Sequence, residues 1–422
     1  MIQARIARVT QSATPPPPPR VVLDLDAFSR DEATLAERKE SSQSEIETSS
    51  VAQGDSRAIV SGMPLDDKHV VDAEIGRGGM GRVLRVRDVD LNRDVAMKVL
   101  LNEGGDANRF IEEAQITGQL DHPNVLPVHD MGVGASGELF FTMKLVRGHK
   151  SLKDWIQLLE EGDREAHRLL SFERRVQIVQ QLCEVLDYAH QRGVLHRDIK
   201  PSNVVLGDFG EVYLVDWGVA KLVEPALSPG ELPEGEPVQT MGSLDREATA
   251  EGELIGTIPY MSPEQVIGRQ DAVGPWSDLY SLIAVLYEFL ALKHYLSGLP
   301  QETYIETLAS IVHEVPKAAE TWVSSPNGRV PRSLSTICAQ GLAKNPKDRY
   351  RSARELRTDL QLWLEGRSPM ICPGTTMQRG LSTYSRWIDR HPFWLPIATL
   401  ILLLIVLQGA LQWLWQVVQA FL

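Results

Sequence analysis

The spacing of apolar and polar residues changes along the chain and divides its globular part in two. Residues 82–86 and 95–100 form short runs in which apolar and polar side chains alternate, and this period of two predicts strands. Farther along, apolar residues recur at the spacing of one helix face, at Ile178, Leu182, Val185, Leu186 and Ala189. A second long helix is predicted over residues 279–292. Strands followed by helices predict an α+β fold, with a small β-rich lobe joined to a larger helical lobe.

The sequence outside residues 67–366 is not patterned like a folded domain. Residues 1–66 contain a run of prolines at 15–19 and a stretch rich in Ser and Glu. Such a composition buries too little apolar surface to offset the entropy of ordering, so we expect this segment to be disordered. We interpret the proline run as a spacer, with a polyproline II ligand as the alternative. Residues 367–392 are expected to form a linker.

The end of the chain, residues 393–422, contains no charged side chain. Residues 395–415 would form about 30 Å of helix, which is enough to cross the hydrocarbon core of a bilayer. Tryptophans near both edges and arginines before the segment favour a transmembrane helix over residues 393–415, followed by a short tail at 416–422. The positive-inside rule then predicts a single-pass membrane protein whose globular domain is cytoplasmic. A helix that docks on a partner or lies in the membrane interface is the alternative.

Composition narrows the classes of function. The chain has 422 residues, a formal net charge of −13 and 43% hydrophobic residues, which suits one large domain with extensions. The negative charge argues against nucleic-acid binding, because nothing would neutralise a phosphate backbone. The three cysteines, Cys183, Cys338 and Cys372, show neither a disulfide framework nor metal-ligand spacing, which fits a reducing compartment.

A glycine-rich stretch lies at the start of the predicted β-rich lobe. It has the spacing G-x-G-x-x-G and comprises Ile75, Gly76, Arg77, Gly78, Gly79, Met80, Gly81, Arg82 and Val83. Glycines let a backbone approach phosphates closely, but a dinucleotide-binding fold uses the same spacing. That fold would continue as a helix and place an acidic, ribose-binding residue about twenty residues later. Here a strand continues and Lys98 follows in an apolar strand, so we favour a phosphate-binding hairpin.

Lys98 needs a charged partner, because an unpaired ammonium group in a buried strand is costly. Glu112 and Glu113 follow in the next predicted helix. Adjacent helical residues point about 100° apart, so only one of them can face the strand. We predict that Glu113 pairs with Lys98 and that Glu112 faces solvent. A lysine that extends from an edge strand into solvent is the alternative reading of Lys98.

The most specific pattern in the chain is His196-Arg197-Asp198-Ile199-Lys200-Pro201-Ser202-Asn203. It resembles the catalytic loop H-R-D-x-K-P-x-N of protein kinases, in particular that of the bacterial eukaryotic-like (Hanks-type) serine/threonine protein kinase family. The resemblance extends over residues 67–366 and implies the two-lobed protein kinase fold. It also implies ATP and Mg²⁺ as cofactors.

The resemblance assigns roles to individual residues. Asp198 would accept or orient the proton of the substrate hydroxyl, and Lys200 would steady the γ-phosphate, so these two are the predicted catalytic residues. Asn203 would hold a second Mg²⁺. A lysine two residues after the aspartate is similar to serine/threonine kinases rather than to tyrosine kinases. The backbone of Lys144 and Val146, in the segment that resembles the hinge, would bind the adenine base.

The residues Asp208-Phe209-Gly210 spell the metal-binding motif of kinases, but they follow Asp198 too closely. The family separates its catalytic loop from the metal-binding aspartate by a pair of strands, and these three residues are typical of the turn between two such strands. We therefore predict that Asp216 is the Mg²⁺ ligand, with Trp217 in the packing position of the usual Phe. Asp216 lies 18 residues after Asp198, as in the family. Asp208 is the alternative.

The segment after Trp217 resembles a long activation segment, whose middle, about 224–253, is rich in Glu, Gly and Pro. We expect an acidic, mobile insertion there. In the family, an arginine at the place of Arg197 pairs with a phosphate on this segment. The candidate phosphorylation sites are Thr240, Ser243, Thr249 and Thr257. For Thr257 we favour a structural hydroxyl that bonds to Asp198 and Lys200.

Two further assignments are structural. Asp278 resembles the buried aspartate that anchors the backbone of the catalytic loop. Arg349 is a candidate ion-pair partner for Glu264.

Three hypotheses of function remain after these assignments. We favour an active, membrane-anchored serine/threonine protein kinase, because every polar group that phosphoryl transfer needs is present. A pseudokinase scaffold is the alternative, and a membrane adaptor that acts through the Pro/Ser-rich N-terminal segment is compatible with either. The expected partners are protein substrates, the membrane and a homodimer for autophosphorylation, with no nucleic acid.

Overall fold

The computed structural model describes residues 68–371, apart from 79–80, 102–106, 136, 149, 224–235, 241–256, 270, 302 and 323–325. It also describes Gln408, Gly409, Gln412 and Trp415. The predicted disordered segment 1–66, most of the linker, the rest of the predicted membrane helix and the tail at 416–422 lie outside the described residues. Among the residues that the structure describes, no helix is both long enough and apolar enough to span a membrane.

The small lobe is a five-stranded antiparallel sheet with the strand order β1-β2-β3-β5-β4. Its strands are β1 (His69–Arg77), β2 (Gly81–Asp88), β3 (Arg93–Leu100), β4 (Val128–Val133) and β5 (Leu139–Met143). One helix, α1 (Ala107–Gln119), connects β3 to β4. The predicted strands at 82–86 and 95–100 lie within β2 and β3.

Alternation along β3 sends its side chains to opposite faces of the sheet. Val95, Met97 and Val99 pack into an apolar cluster on one face. Leu100 packs on the other face, in a cluster that includes Phe110 of α1. Because Lys98 differs from Leu100 by two positions, it lies on the face that α1 covers.

The large lobe is helical, and its helices follow one another along the chain. They are α2 (Leu152–Glu160), α3 (Arg164–Leu169), α4 (Phe172–Gln191), α5 (Pro263–Val266), α6 (Pro275–Ala291), α7 (Tyr304–His313), α8 (Arg332–Gly341) and α9 (Ala353–Leu364). The apolar stripe predicted from residue 178 to residue 189 lies in α4. Helix α6 begins at Pro275, before the predicted start at residue 279, because the fixed φ of a proline suits the first helical position.

Helix α6 lies at the centre of the large lobe. Every residue of α6 from Ser277 to Ala291 is buried except Glu288, and a helix that is apolar on all sides belongs in a core. It packs against the buried stripe of α4 within one apolar cluster that also contains residues of α8 and α9. The predicted β-rich small lobe and helical large lobe are therefore confirmed.

Five short strands surround the predicted catalytic loop. They are β6 (Lys150–Ser151), β7 (Val194–Leu195), β8 (Val204–Leu206), β9 (Val212–Leu214) and β10 (Lys221–Leu222). β8 lies between β6 and β9, and β7 pairs with β10. The turn that joins β8 to β9 is closed by a hydrogen bond from Gly207 N to Glu211 O of 3.0 Å, with Gly210 at φ 83°.

Residues 236–240, within the insertion predicted to be mobile at about 224–253, are described by the structure and lie against the large lobe. Val238 is only 5% exposed and belongs to the apolar cluster of the large lobe. Its backbone N–H donates to Arg192 O at 3.1 Å. The average composition of the insertion does not reveal that Val238 is buried, and burying a valine offsets part of the entropy of ordering its neighbours. The rest of the insertion lies outside the described residues.

The predicted ion pair between Arg349 and Glu264 is present and buried. The two guanidinium nitrogens donate to the two carboxylate oxygens at 2.8 and 2.9 Å. Arg349 is 3% exposed and Glu264 is 5% exposed. Burial alone would raise the pKa of Glu264, but the hydrogen bonds and charge of Arg349 outweigh it and lower this pKa below its ordinary value of 4.5. The pair joins α5 to the segment before α9.

We expect Glu264→Gln to lower the free energy of unfolding by about 3–5 kcal/mol at pH 7, because it leaves the Arg349 charge buried and unpaired. The difference from the wild type should be nearly constant well above pH 4.5. It should shrink as the pH falls from there through the lowered pKa of folded Glu264, because the carboxylate is protonated first in the unfolded and then in the folded wild type. Urea unfolding at several pH values measures both effects.

The matched control is Glu165→Gln, which removes the same charge from an exposed pair with Arg168. It should leave the unfolding midpoint unchanged. Equal effects of the two substitutions would contradict the importance of the buried pair.

Candidate active site

A cleft of about 630 Å³ lies between the two lobes. The predicted site residues that line it are Ile75, Gly76, Arg77, Gly78, Gly81, Val83, Lys98, Glu113, Lys144, Val146, Asn203 and Asp216. Gly79 and Met80 lie outside the described residues, and Arg82 is in β2 but does not line the cleft. Asp198 and Lys200 lie next to the lining residue Asn203. The structure therefore assembles most of the predicted site from both lobes.

The glycine-rich stretch ends β1 and begins β2, and its described residues apart from Arg82 line the cleft. Gly78 N donates to Gly81 O at 2.8 Å between the two strands. A Cβ atom on Gly81 would lie 2.5 Å from Val99 O, so no other residue fits there without moving β3. This close approach brings the backbone of this stretch close to the strand that carries Lys98.

Lys98 and Glu113 form the predicted ion pair. The ammonium nitrogen lies 2.6 and 2.7 Å from the two carboxylate oxygens of Glu113, and 3.5 Å from Asp216 Oδ1. Burial disfavours the charged ammonium, but attraction to the two carboxylates outweighs it and raises the pKa of Lys98 above its usual value. Lys98 thus stays charged and joins β3, α1 and the segment after β9. Glu112, which we expected to face solvent, is half-buried.

Two side chains and one backbone N–H hold the carboxylate of Asp198 in one orientation. Lys200 Nζ donates to Oδ2 at 2.6 Å, and the backbone N–H of Thr257 donates to Oδ1 at 2.7 Å. Asn203 Nδ2 donates to Asp198 O at 2.9 Å and contacts Oδ2 at 3.3 Å. Lys200 Nζ also donates to the hydroxyl of Thr257 at 2.7 Å. The favoured structural reading of Thr257 is confirmed for Lys200, while its contact with Asp198 is made by the backbone rather than the hydroxyl.

Asp278 holds the backbone of the same loop, as predicted. Its carboxylate accepts hydrogen bonds from the backbone N–H of His196 at 2.9 Å and of Arg197 at 2.8 Å. It also contacts His190 Nε2 at 2.8 Å. Burial alone would raise the pKa of Asp278, but the hydrogen bond and charge of His190 and the other donors lower it. Arg197 adopts φ 68°, a strained conformation that these bonds stabilise.

His196 supports the loop as a neutral ring. Its Nε2 lies 3.1 Å from Val215 O, and its Nδ1 accepts a long bond of 3.3 Å from the backbone N–H of Asp198. Burial lowers the pKa of His196, against the opposing charge of Asp278. The ring also packs against Trp217, with 4.6 Å between the ring centroids.

The structure separates the two candidate metal-binding aspartates. Asp216 lines the cleft and adopts φ 68°, which aims a partly exposed carboxylate towards Lys98. Asp208 lies in the turn between β8 and β9, against Gly148, and does not line the cleft. Phe209 is 86% exposed, whereas Trp217 is buried. The position and surroundings of Asp216 fit the predicted metal ligand, and those of Asp208 do not.

The residues of the cleft fit a divalent cation bound by oxygen ligands. Both donors of the Asn203 amide nitrogen point to Asp198, so its oxygen is the atom that could face a metal beside the Asp216 carboxylate. Mg²⁺ takes one or two protein oxygens and completes its shell with water and phosphate. Among the described residues no group of three or more His, Cys, Asp or Glu could hold a metal ion without such help.

The hinge between the lobes offers one backbone group of Lys144 to a base. The N–H of Lys144 donates to Pro127 O at 3.1 Å, so only its carbonyl could contact an adenine. The ammonium nitrogen of Lys144 lies 2.5 Å from the hydroxyl oxygen of Tyr213 and 5.0 Å from the centre of the Tyr213 ring. Tyr213 therefore holds the side chain of Lys144.

Comparison with known families decides the class of the chain. The model of the protein kinase domain matches residues 69–360, which is more than half of the chain. The chain belongs to the protein kinase family. The match lies inside the predicted domain 67–366 and includes every predicted site residue.

Known kinases are similar to most of the chain. A protein named serine/threonine-protein kinase PknD from Protochlamydia amoebophila is 32% identical over 323 residues, which is 74% of this chain and 31% of that protein. Proteins of the same name from Chlamydia felis and Chlamydia trachomatis serovar L2b are 32% and 33% identical over 72% and 74% of this chain. They are covered over 32% and 33% of their own lengths, so the chain spans about a third of these relatives.

Sequence reasoning missed three contacts of the kinase site. His190, which supports Asp278, continues the apolar stripe of α4 four positions after Leu186, and a polar residue in such a stripe signals a buried partner. Gln265 Nε2 donates to Arg197 O at 2.9 Å. Neither Gln265 nor Tyr213 stands in a local pattern that points to the cleft, so no signal identified them.

The metal assignment can be tested by binding. We expect Asp216→Asn to weaken Mg²⁺-dependent binding of a non-hydrolysable ATP analogue by about ten-fold or more, because a metal ligand is lost. Isothermal titration of the full chain with and without Mg²⁺ measures this effect. Asp208→Asn, which makes the same change in the exposed turn, should bind as the wild type does. The reverse result would assign the metal to Asp208.

Proposed function

We propose that this chain is a serine/threonine protein kinase that transfers the γ-phosphate of ATP to hydroxyl groups of proteins. The observation that carries the proposal is the environment of Asp198. Lys200, Asn203 and Thr257 hold its carboxylate beside the cleft that contains Lys98 and Asp216. Family membership and the similar serine/threonine kinases of chlamydial organisms support the same activity.

Different residues of the chain would have different roles in phosphoryl transfer. ATP would supply the phosphoryl group and leave as ADP, and Asp216 and Asn203 would hold Mg²⁺, which would neutralise charge on the phosphates. Lys98, kept charged and fixed by Glu113, would position the phosphates. Asp198 would orient the substrate hydroxyl and take its proton. Because catalysis of this reaction rests on positioning and charge, the rigidity of the loop is itself part of the mechanism.

The preference for serine and threonine rests on Lys200. Its ammonium is held between Asp198 and Thr257, where it would contact the transferred phosphate. This contact resembles that of serine/threonine kinases and argues against a tyrosine-specific site. A pseudokinase would tolerate the loss of any of these polar contacts, but Lys98, Glu113 and Asp198 are all engaged.

Activity is tested with the full chain, Mg²⁺ and ATP labelled at the γ-phosphate. We expect transfer to a general protein substrate, with the label on Ser and Thr, and Asp198→Asn should lower the rate by about 100- to 10 000-fold. Asp208→Asn is the matched control and should keep the wild-type rate. Equal label with wild type and Asp198→Asn would sink the proposal, as would label on tyrosine alone.

The proposal extends to location and partners. An uncharged segment at 393–415, preceded by arginines, supports a single-pass membrane anchor with the kinase domain on the cytoplasmic side. Such an anchor would restrict the kinase to protein substrates near the membrane. It would also concentrate copies of the chain, which favours autophosphorylation within a homodimer.

The anchor is tested by two arginines in the segment. Each arginine at the centre of a membrane helix costs about 2.5–3.5 kcal/mol, so Leu403→Arg with Leu404→Arg should move the chain from carbonate-washed membranes to the soluble fraction. Leu403→Ile with Leu404→Ile should remain with the membranes. A wild-type chain that is released by carbonate would contradict the anchor.

A further inference from the structure

Residues 236–240 of the activation-segment insertion lie against the end of α4; we name them the bridge segment. Before the insertion, Val223 N donates to Gly193 O at 2.8 Å. After it, Val238 N donates to Arg192 O at 3.1 Å. The chain therefore leaves and returns at adjacent residues that follow α4. The bridge segment is held at a defined place on the large lobe.

The bridge segment also contacts the small lobe through the last residue of α1. Gln119 Oε1 accepts from the backbone N–H of Gln239 at 3.2 Å, and Gln119 Nε2 donates to the carbonyl of Gln239 at 2.7 Å. Gln119 Nε2 also donates to Gln115 O at 2.9 Å within α1. One side-chain amide thus pairs with both polar groups of one peptide residue, while the side chain of Gln239 is exposed.

Two buried residues anchor the bridge segment on either side of Gln239. Val238 packs in the apolar cluster of the large lobe, and Thr240 is also buried. These buried neighbours fix the backbone of Gln239, so its N–H and carbonyl face α1 in a defined position. The contact between Gln119 and Gln239 thus joins the small lobe to a segment that is anchored on the large lobe.

The position of α1 matters because this helix carries Glu113. Its 13 residues form a rod of about 20 Å, with Glu113 near the middle and Gln119 at the end. A shift of the end of such a rod moves the carboxylate of Glu113 relative to Lys98. Lys98 Nζ and Glu113 Oε1 are 2.6 Å apart, so such a shift would lengthen this hydrogen bond.

We propose that the bridge segment holds α1 in the position at which Glu113 pairs with Lys98, and that Gln119 is a positioning residue for phosphoryl transfer. The consequence for turnover rests on the proposed function. The coupling of the bridge segment to α1 does not, because the contacts of Gln119 and Val238 support it whether or not the chain transfers phosphate.

Hydrogen exchange tests the coupling in the full chain without reference to activity. Gln119→Ala removes the two hydrogen bonds to Gln239 and the one to Gln115 O, and it should speed amide exchange in α1 by about two- to ten-fold. Val238→Ala, which loosens the bridge segment in the large lobe, should do the same. A peptide from α8 should exchange at the wild-type rate in both variants.

The matched control is Gln239→Ala, which keeps the backbone groups that contact Gln119. It should leave exchange in α1 unchanged. The proposal is overturned if Gln119→Ala leaves α1 unchanged, if Gln239→Ala speeds exchange equally, or if α8 and α1 change together.

Turnover separates a positioning role from a merely structural one. Gln119→Ala should lower kcat/KM for ATP by about two- to ten-fold, while KM for the protein substrate stays unchanged. Gln119→Glu keeps an acceptor for the N–H of Gln239 but places a carboxylate oxygen against the carbonyls of Gln239 and Gln115, so it should lower kcat/KM at least as much as Gln119→Ala. An inactive wild type with altered exchange in Gln119→Ala would refute the proposed kinase activity but not the coupling. Unchanged kcat/KM with altered exchange would refute the positioning role.

Discussion

The geometry of the large lobe depends on the hydrogen bonds of the Asp278 carboxylate. It is 1% exposed, and a buried charge is tolerated only where hydrogen bonds replace water. Its partners come from α4, through His190, and from the backbone of His196 and Arg197. Since Asp278 itself lies on the central helix α6, the loop before Asp198 is tied to the most buried part of the protein.

A second set of charges joins the lobes across the cleft. Lys98 lies on β3, Glu113 on α1 and Asp216 after β9. Lys98 and Glu113 are largely buried and offset each other's charge, while the carboxylate of Asp216 is partly exposed. This arrangement couples the fold to the site, because a change in the position of α1 or of Asp216 alters the field around Lys98. The site is therefore sensitive to contacts that lie far from it, such as those of Gln119.

The parts of the fold that could be predicted are those whose pattern lies in residues close together in the sequence. The alternation in β2 and β3, the stripe of α4 and the loop around Asp198 are written in neighbouring residues, and the structure places them as expected. The pairing of Lys98 with Glu113 followed from the cost of an unpaired ammonium, and the turn at Asp208 from its turn residues. The bridge segment could not be predicted, because Val238 and Gln239 meet partners that are distant in sequence and their own stretch reads as polar.

Two strained backbone conformations could not be predicted from the sequence either. Arg197 and Asp216 both adopt φ 68°, which no local sequence signal demands. Only the hydrogen bonds of Asp278 and the packing of Trp217 explain why the chain accepts this conformation at these places. The strain lies beside the residues with proposed chemical roles, as is common in active sites.

The exposed turn at Asp208-Phe209-Gly210 has a consequence for anyone who aligns this chain with its relatives. An alignment anchored on those three letters would place Asp208 where Asp216 belongs, an error of eight positions. Every residue downstream, including Thr257 and Glu264, would then be compared with the wrong neighbour until a gap restored the register. Position relative to the cleft distinguishes the two aspartates where letters do not, so structural alignment is the safer basis for tracing this family through its divergent members.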